Sequence, residues 1–532
     1  MRDVGAPVSD APTVRSQLLA RADDPRPGLL ADDSAWSWRE VVHESAVRAE
    51  LLASLLPEGA PPHVGVLLDN TPEFVFALGA AALSGQVVVG LNTTRRGAAL
   101  AADVARSDTQ VVITDSAHVD LLDGVDLGVP VLLTDSAEWA DLVATHDAAA
   151  PPVAEITPDT LFMLIFTSGT SGEPKAVRVT HHKVAHPGRF LSERFGLGPD
   201  DVAYLSMPMF HSNAIMAGWA PALAAGTTVA LAARFSASGF LPDVRRHGAT
   251  YANYVGKPLA YVMATPELSD DANNPLRLVF GNEANERDIA AFGARFGCVV
   301  VDSYSSTENA VIVQRLPGVP PGSLGRPVDG VAVLDPVTRS PTPDAVFGPA
   351  GELVNAEEAT GELVNTLGGG AFAGYYNDPD AESERMRGGM YWSGDLAYRD
   401  ADGWVYFAGR TADWLRVDGE NFAAAPIERV LLRHPAVSEA AVYAVPDPLS
   451  GDQVVAALVL TAPLTPAELE AFLALQPDLS PKACPRYVRI LADLPRTATN
   501  KVLKRALAQQ GPVAGDGVLW QRAERGTTYT IR

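Results

Sequence analysis

The sequence predicts an α/β fold: a large N-terminal domain of α/β subdomains plus a β-rich region, followed by a smaller α+β C-terminal domain. Three observations predict it. Short β-branched runs alternate with Ala/Leu-rich amphipathic stretches through the N-terminal part. Alternation of this kind argues for largely parallel sheets. Pro, Gly and Asp then become frequent over 320–365, and a fresh helix and strand pattern starts after 403–414.

The strand-like runs, in order, are VGVLL around 65–68, QVVVGL (86–91), QVVITD (110–115), VPVLLTD (129–135), LFMLIF (161–166), TTVALA (227–232), LRLVF (276–280) and CVVVD (298–302). Helix-like EFVFALGAAAL (73–83) and RDIAAFGARF (287–296) lie between them. The longest apolar stretch, Val75 to Leu91, is interrupted by Ser84, Gly85 and Gln86. It therefore reads as a buried helix, a turn and a strand, not a membrane span. The pentapeptide GELVN occurs at 351–355 and 361–365, too short and too few for a solenoid, and fits a turn-rich β region. Further on come a helix at 426–434 with Pro426 in its first turn, strands at 437–445 and 452–461, and a helix at 466–475. The division expected is 1–410, a hinge at 411–415 and 416–532. Residues 1 to 15 and the last twenty read as frayed ends.

The chain has 532 residues, 47% hydrophobic and 20% charged, enough for two to four domains and not a disordered composition. It carries 41 Lys and Arg against 64 Asp and Glu, a net charge of −23. Such acidity speaks against non-specific binding to nucleic acid or anionic membranes. Two distant cysteines, Cys298 and Cys484, make neither a metal cluster nor a disulfide framework, and the N-terminus lacks the apolar core of a signal peptide. Both point to the cytoplasm.

Five motifs carry chemistry. TSGTSGEPK (Thr167, Ser168, Gly169, Thr170, Ser171, Gly172 and on to Lys175) follows the strand at 161–166. Its glycines permit positive φ, so a tight loop can expose successive backbone N–H groups as an anion-binding concavity, to which Lys175 adds a charge. The loop leads into another strand, AVRVTH (176–181), rather than the helix of a Walker sequence. YSSTE (304–308) lies past the strand at 298–302, where sites of parallel sheets gather. Thr307 suits a phosphate oxygen, Glu308 suits Mg²⁺ and Tyr304 offers a flat face to a purine. In YWSGDLAYRD (391–400) Asp395 follows a Ser-Gly turn and suits ribose hydroxyls. Arg410 in GRTADWLRVDGEN and Lys501 in PRTATNKVLKR complete the set.

Taken in order, these motifs resemble the adenylate-forming superfamily of acyl-CoA synthetases, firefly luciferase and nonribosomal-peptide adenylation domains. Three stretches, 251–266, 276–285 and 296–310, resemble the fatty-acid-transport and very-long-chain branch, and actinobacterial fatty-acyl or steroid-acid CoA ligases. The resemblance implies that Thr167–Lys175 is the phosphate loop, and that Thr307 and Glu308 serve phosphate and Mg²⁺. Tyr304, with Gly281, Asn282 and Glu283, lies at the adenine, Asp395 at the ribose, and Arg410 at the nucleotide. His211 lies near the acyl and pantetheine tunnels, Gly419 on a CoA-facing loop, and Lys501 is the adenylation lysine on a mobile C-terminal domain. ATP, Mg²⁺ and coenzyme A are the implied cofactor and co-substrates, with a small-molecule acid as substrate and a homodimer as a possible assembly. Three positions depart from the pattern: Ala412 at the hinge, Asn500 before the lysine, and Ser305, where a Gly is usual and a side chain narrows the acyl pocket. The function implied is conversion of a fatty, steroid side-chain or aromatic acid to acyl-AMP and then acyl-CoA. Two alternatives share the motifs: a diazotase activating nitrite for an aromatic amine, and a catalytically degenerate nucleotide binder.

Overall fold

The computed structural model describes residues 11–168, 174–284, 286–315, 318–349, 353–410, 414–417, 420–447, 451–476, 479, 483–496, 502–515, 517–523 and 526–532. Gly169, Thr170, Ser171, Gly172, Ala412, Gly419, Asn500 and Lys501 lie outside the described residues. By contacts the chain divides into two compact units, Met1–Asn309 with Ala371–Ser383, and Ala310–Gly370 with Glu384–Arg532.

The first unit holds two sheets. In one, the strands run Val131–Leu133, Val111–Thr114, His63–Leu67, Val87–Gly90, Leu161–Ser168 and Pro174–Thr180. The first five are parallel and the last is antiparallel to its neighbour. Three of them, at 63–67, 87–90 and 111–114, are buried at every residue. That is why they read as unbroken apolar runs: helices cover both faces of a parallel sheet. The apolar stretch from Val75 resolves as expected. Helix Pro72–Ser84 stops at Gly85, whose φ of 83° a side chain would resist, and strand Val87–Gly90 follows. Among the described residues no helix is long and apolar enough to cross a membrane.

The second sheet runs Val299–Asp302, Leu278–Asn282, Tyr251–Val255, Val202–Leu205, Thr228–Leu231, Pro27–Ala31 and Ser34–Ser37, parallel except for the last. The strands at 27–31, 34–37, 202–205 and 251–255 are additions to those expected. Of the end expected to fray, residues 1–10 lie outside the described residues, but from Thr13 the chain is folded. Thr13 and Ser16 form a reciprocal cap on helix Val14–Leu19, and Val14 and Leu18 are buried.

The second unit is built mainly from antiparallel pairings, with Gly451–Leu460 and Tyr487–Ile490 paired in parallel. One sheet runs Val313–Gln314, Ser323–Pro327, Val405–Arg410, Met390–Arg399, Gly361–Asn365 and Val331–Leu334. The second GELVN copy, 361–365, is one of its strands, while residues 351 and 352 of the first lie outside the described residues. The other sheet runs Glu420–Ala423, Trp414–Val417, Gly451–Leu460, Tyr487–Ile490, Val518–Arg522 and Tyr529–Ile531, with Val437–Asp447 also paired to Gly451–Leu460. Helices Ala424–Leu432 and Pro466–Ala474 pack against it.

The last twenty residues are not a tail. Val518–Arg522 pairs antiparallel with Tyr487–Ile490, and Tyr529–Ile531 closes the edge. Trp520 and Tyr529 enter the same core as Leu415, Val430 and Leu469. Two large aromatic side chains bury more apolar surface than a frayed end gives up in entropy.

Candidate functional site

The hairpin of Leu161–Ser168 and Pro174–Thr180 frames the phosphate-loop motif. Its register pairs Thr167 with Lys175 and Ser168 with Pro174, so the loop between them begins and ends at one rung of a buried sheet. The Thr167 hydroxyl reaches the carbonyl of Lys175 at 3.5 Å. Lys175 is itself buried, its Nζ 5.4 Å from the centre of the Tyr375 ring. A cation over an aromatic face is attracted by the ring quadrupole, which helps to fix where the charge sits.

Tyr375 comes from the short segment Ala371–Ser383, which belongs to the first unit. It lies against the free edge of strand Pro174–Thr180: Val177 bridges Tyr375, Tyr376 N donates to Ala176 O (2.8 Å) and Arg178 N to Gly374 O (3.1 Å). The Tyr376 hydroxyl and Asn377 Nδ2 each donate to Asp108 Oδ2 at 2.9 Å. Burial, and the acceptor at Asp108, push Tyr376 up to about 12, so it stays a donor at any ordinary pH.

The Tyr375 hydroxyl then donates to Glu308 Oε1 at 2.8 Å. One ring therefore holds Lys175 on its face and Glu308 on its rim. Thr307, next to Glu308, shares a hydrogen bond with Ser212 Oγ at 3.0 Å. Ser212 follows His211, so the segment at 207–214 meets the Tyr304–Glu308 turn through a hydroxyl pair. His211 is half-buried, its ring 4.5 Å from that of Phe210.

Asn213 carries the link onward. Its Nδ2 donates to Tyr254 O (2.9 Å) and Asn282 Oδ1 (3.2 Å), and its Oδ1 accepts from Asn253 Nδ2 (2.7 Å). Asn282 donates to Ser303 O at 2.6 Å and Ser303 Oγ at 3.0 Å. Buried amides hydrogen-bonded to one another restrain the loops that bear them. Gly281 sits at the strand crossing, where an added Cβ would stand 2.1 Å from Tyr254 O. Glu283 takes a left-handed φ of 69°, which costs a non-glycine residue roughly 1–2 kcal/mol. The next amide, Ala284 N, is caught by Asp302 Oδ2 at 3.0 Å, and the Tyr254 hydroxyl donates to the same oxygen at 2.6 Å. Tyr304 follows this cluster, half-buried.

One buried cation escaped the sequence reading. Lys183, in the first turn of helix His181–Phe195, is 2% exposed and donates to the backbone carbonyl of Glu308 at 2.9 Å. Burial lowers it from 10.5 to about 8, with the Glu308 carboxylate pulling the other way.

In the second unit Asp395 and Arg410 are register partners on adjacent antiparallel strands, with Arg410 Nε 3.5 Å from Asp395 Oδ1. The Ser-Gly turn expected before Asp395 is a distortion inside strand Met390–Arg399. Gly394 has φ 75°, its N–H is held by Glu362 Oε1 (2.7 Å), and the pairing shifts register beside it. A bulge re-aims the following side chain without ending the strand. Lys175, Thr307, Glu308, His211, Gly281 and Asn282 are thus brought together in the first unit, and Asp395 with Arg410 in the second. Tyr375, Ser212, Asn213 and Lys183 were missed. Ser212 and Asn213 adjoin His211 in the sequence, and the Tyr375–Tyr376 pair after a glycine was the available signal for the strap, the segment Ala371–Ser383 that runs along strand Pro174–Thr180.

The residues present fit a magnesium ion handled together with phosphates. Among the described residues no group of three or more His, Cys, Asp or Glu side chains could cage a metal alone. Mg²⁺ commonly takes one or two carboxylates plus substrate phosphates, and Glu308, held by Tyr375, is placed to be that carboxylate.

Comparison with known proteins gives the family. The AMP-binding enzyme family matches residues 19–376, and the AMP-binding enzyme C-terminal domain matches 426–501. The chain is 53% identical to the medium/long-chain-fatty-acid–CoA ligase FadD17 of Mycobacterium marinum over 96% of its own length and 99% of the relative's. It is 49% identical to the steroid-22-oyl-CoA synthetase of Rhodococcus jostii, over 94% of this chain and 91% of that one. The ATP-bound crystal structure of MatB from Rhodopseudomonas palustris shares its fold, with a TM-score of 0.81 at 23% identity and coverage of 94% and 98%. With matches across nearly its whole length and a shared fold, the chain belongs to the AMP-binding enzyme family.

Proposed function

We infer that this protein is an ATP-dependent acid:CoA ligase acting on a large apolar carboxylic acid, of fatty or steroid side-chain type. The observation that carries the reading is the joining of Lys175 and Glu308 through one tyrosine, with Thr307 tied alongside, in a chain about half identical to two CoA ligases of such acids.

In the first half-reaction a carboxylate oxygen of the acid bonds to the α-phosphorus of ATP and the bond to pyrophosphate breaks. Two anions must meet, so the site must offset charge before reaction. Lys175 supplies a fixed positive charge beside the phosphate loop. Thr307 donates its hydroxyl to a phosphate oxygen. Glu308 would hold Mg²⁺, which when bound would neutralise phosphate charge. The Asn213–Asn282–Ser303 network holds the loops that bracket the adenine in place. Asp395 and Arg410 serve the ribose and nucleotide, and Lys501 acts in adenylation. In the second half-reaction the thiol sulfur of coenzyme A bonds to the acyl carbon and AMP leaves, with Gly419 on the CoA-facing loop. The division expected from sequence, 1–410, 411–415 and 416–532, assigns the first step's lysine and the thiol path to the C-terminal part.

The test is a panel of fatty, steroid side-chain and aromatic acids with ATP, Mg²⁺ and coenzyme A. The reading expects pyrophosphate, AMP and a CoA thioester from at least one large apolar acid. AMP release that requires nitrite and an arylamine and ignores coenzyme A would replace it with diazotisation. ATP binding without pyrophosphate from any acid would leave only a nucleotide binder. Lys501→Ala is expected to lower adenylation by about 10²-fold or more while supplied acyl-AMP still yields thioester; equal loss of both steps would count against that role.

A further inference from the structure

Lys183 belongs to none of the motifs that mark the site, yet it is 2% exposed. Enclosing an ammonium costs several kcal/mol unless its surroundings compensate. Its ammonium donates to the main-chain carbonyl of Glu308, 125 residues away, at 2.9 Å. The same residue's carboxylate is held by Tyr375 at 2.8 Å. Glu308 is therefore gripped at both ends, side chain by Tyr375 and backbone by Lys183.

The two grips share a foundation. Strand Pro174–Thr180 bears Lys175 near its start and has Tyr375 bridged to its edge at Val177. Thr180 then caps helix His181–Phe195, accepting from Lys183 N at 3.3 Å, and Lys183 stands in that helix's first turn. One continuous stretch, 174–183, thus runs from the phosphate-loop hairpin to the back of the turn bearing Thr307 and Glu308. Asn309 just beyond it closes the turn, with φ 52°, a left-handed conformation that asparagine tolerates, and its N–H turned back to Ser306 O at 3.1 Å.

We propose that Lys183 is a positioning residue for adenylation: its buried ammonium, bonded to the Glu308 carbonyl, fixes the Thr307–Glu308 turn relative to the phosphate-loop hairpin. The role rests on the ligase reading above. Lys183 does not touch the reacting atoms. Removing it releases the turn while leaving Glu308, Thr307 and Lys175 chemically intact, so the Mg²⁺-dependent first step is affected and thioester formation from ready-made acyl-AMP is not.

The experiment compares wild type with Lys183→Met, which keeps the aliphatic stem, and Lys183→Gln, which keeps an N–H donor without the charge. Acyl-adenylate formation, its half-saturating Mg²⁺ concentration and the KM for the acid are measured, together with thioester formation from supplied acyl-AMP. Loss of an outer support for a metal-holding residue is expected to lower adenylation about 10–100-fold in Lys183→Met. The Mg²⁺ requirement should rise, with the KM for the acid and the second step unchanged, and Lys183→Gln should recover part of the loss. If Lys183→Met does not fold, the same split is read from Lys183→Gln alone. Active wild type with variants indistinguishable from it, or variants that lose both half-reactions equally, would overturn the positioning role while sparing the ligase reading. Wild type that forms no acyl-adenylate with any acid would overturn both.

Discussion

The two compact units carry their candidate residues on opposite kinds of sheet, and the contrast says what holds each set. In the first unit Thr307, Glu308, Gly281 and Asn282 lie at or beyond the carboxyl ends of parallel strands. Their positions are set by side chains from far along the chain: Ser212, Asn213, Tyr375 and Lys183. In the second unit Asp395 and Arg410 are cross-strand neighbours on an antiparallel ladder, positioned by backbone register and a bulge. Loops beyond parallel strands gain freedom of shape and need polar networks to restrain them. Residues on a ladder need none, and their own ion pair, with Arg410 44% exposed, adds at most about 1 kcal/mol.

That contrast can be broken by substitution. The largest effect on stability is expected for Trp520→Ala, which removes 3%-exposed aromatic bulk from the C-terminal sheet and should cost about 3–5 kcal/mol. Hydrogen exchange should quicken in strands 487–490 and 518–522 and stay unchanged in the parallel strand 161–168. Faster exchange in both would mean that the units are not energetically separate.

Next is an acid sensitivity located in the first unit. Burial, and secondarily the charge of Arg15, lowers His181 from 6.5 to about 4. The folded state binds the proton less readily than the unfolded chain, so His181 costs nothing above pH 6.5. Stability is then lost progressively as the pH falls from 6.5 to about 4. The shift corresponds to roughly 3 kcal/mol. His181→Leu should flatten the stability–pH curve in that window; an unchanged slope would locate the acid sensitivity elsewhere.

The smallest expected effect sharpens the comparison most. Tyr375→Phe keeps the ring beneath Lys175 but removes the hydrogen bond to the Glu308 carboxylate, a bond to a charged group worth about 1.5–3 kcal/mol. Adenylation should fall about tenfold to a hundredfold, with the melting temperature lowered by only a few degrees. If it does not fall, Glu308 is placed without the strap.

Much of this was legible in the sequence where neighbours along the chain decide the outcome. Fully buried parallel strands leave apolar runs, as at 87–90 and 111–114, and the glycine- and hydroxyl-rich hairpin after 161–166 announces itself by composition. Contacts across long separations leave no such trace. Nothing near Lys183 indicates that it reaches Glu308, and a lysine on a helix ordinarily reads as solvated. Ser393–Gly394 read as a turn because glycine in a strand pattern marks either a turn or a bulge, and the choice depends on Glu362, from another strand, capturing the Gly394 N–H. The C-terminal strands were lost because VLWQR and YTI are short and mixed in polarity, and only pairing with Tyr487–Ile490 makes them a sheet.

On the proposed function, Glu308, gripped by Tyr375, is the carboxylate through which the first unit manages the charge of the nucleotide. The most direct measurement is single-turnover acyl-adenylate formation by Glu308→Gln, beside its conversion of supplied acyl-AMP to thioester. A loss of about 10²–10³-fold in the first step, with the second within a few-fold of wild type, is the result predicted. Adenylation at the wild-type rate would contradict it.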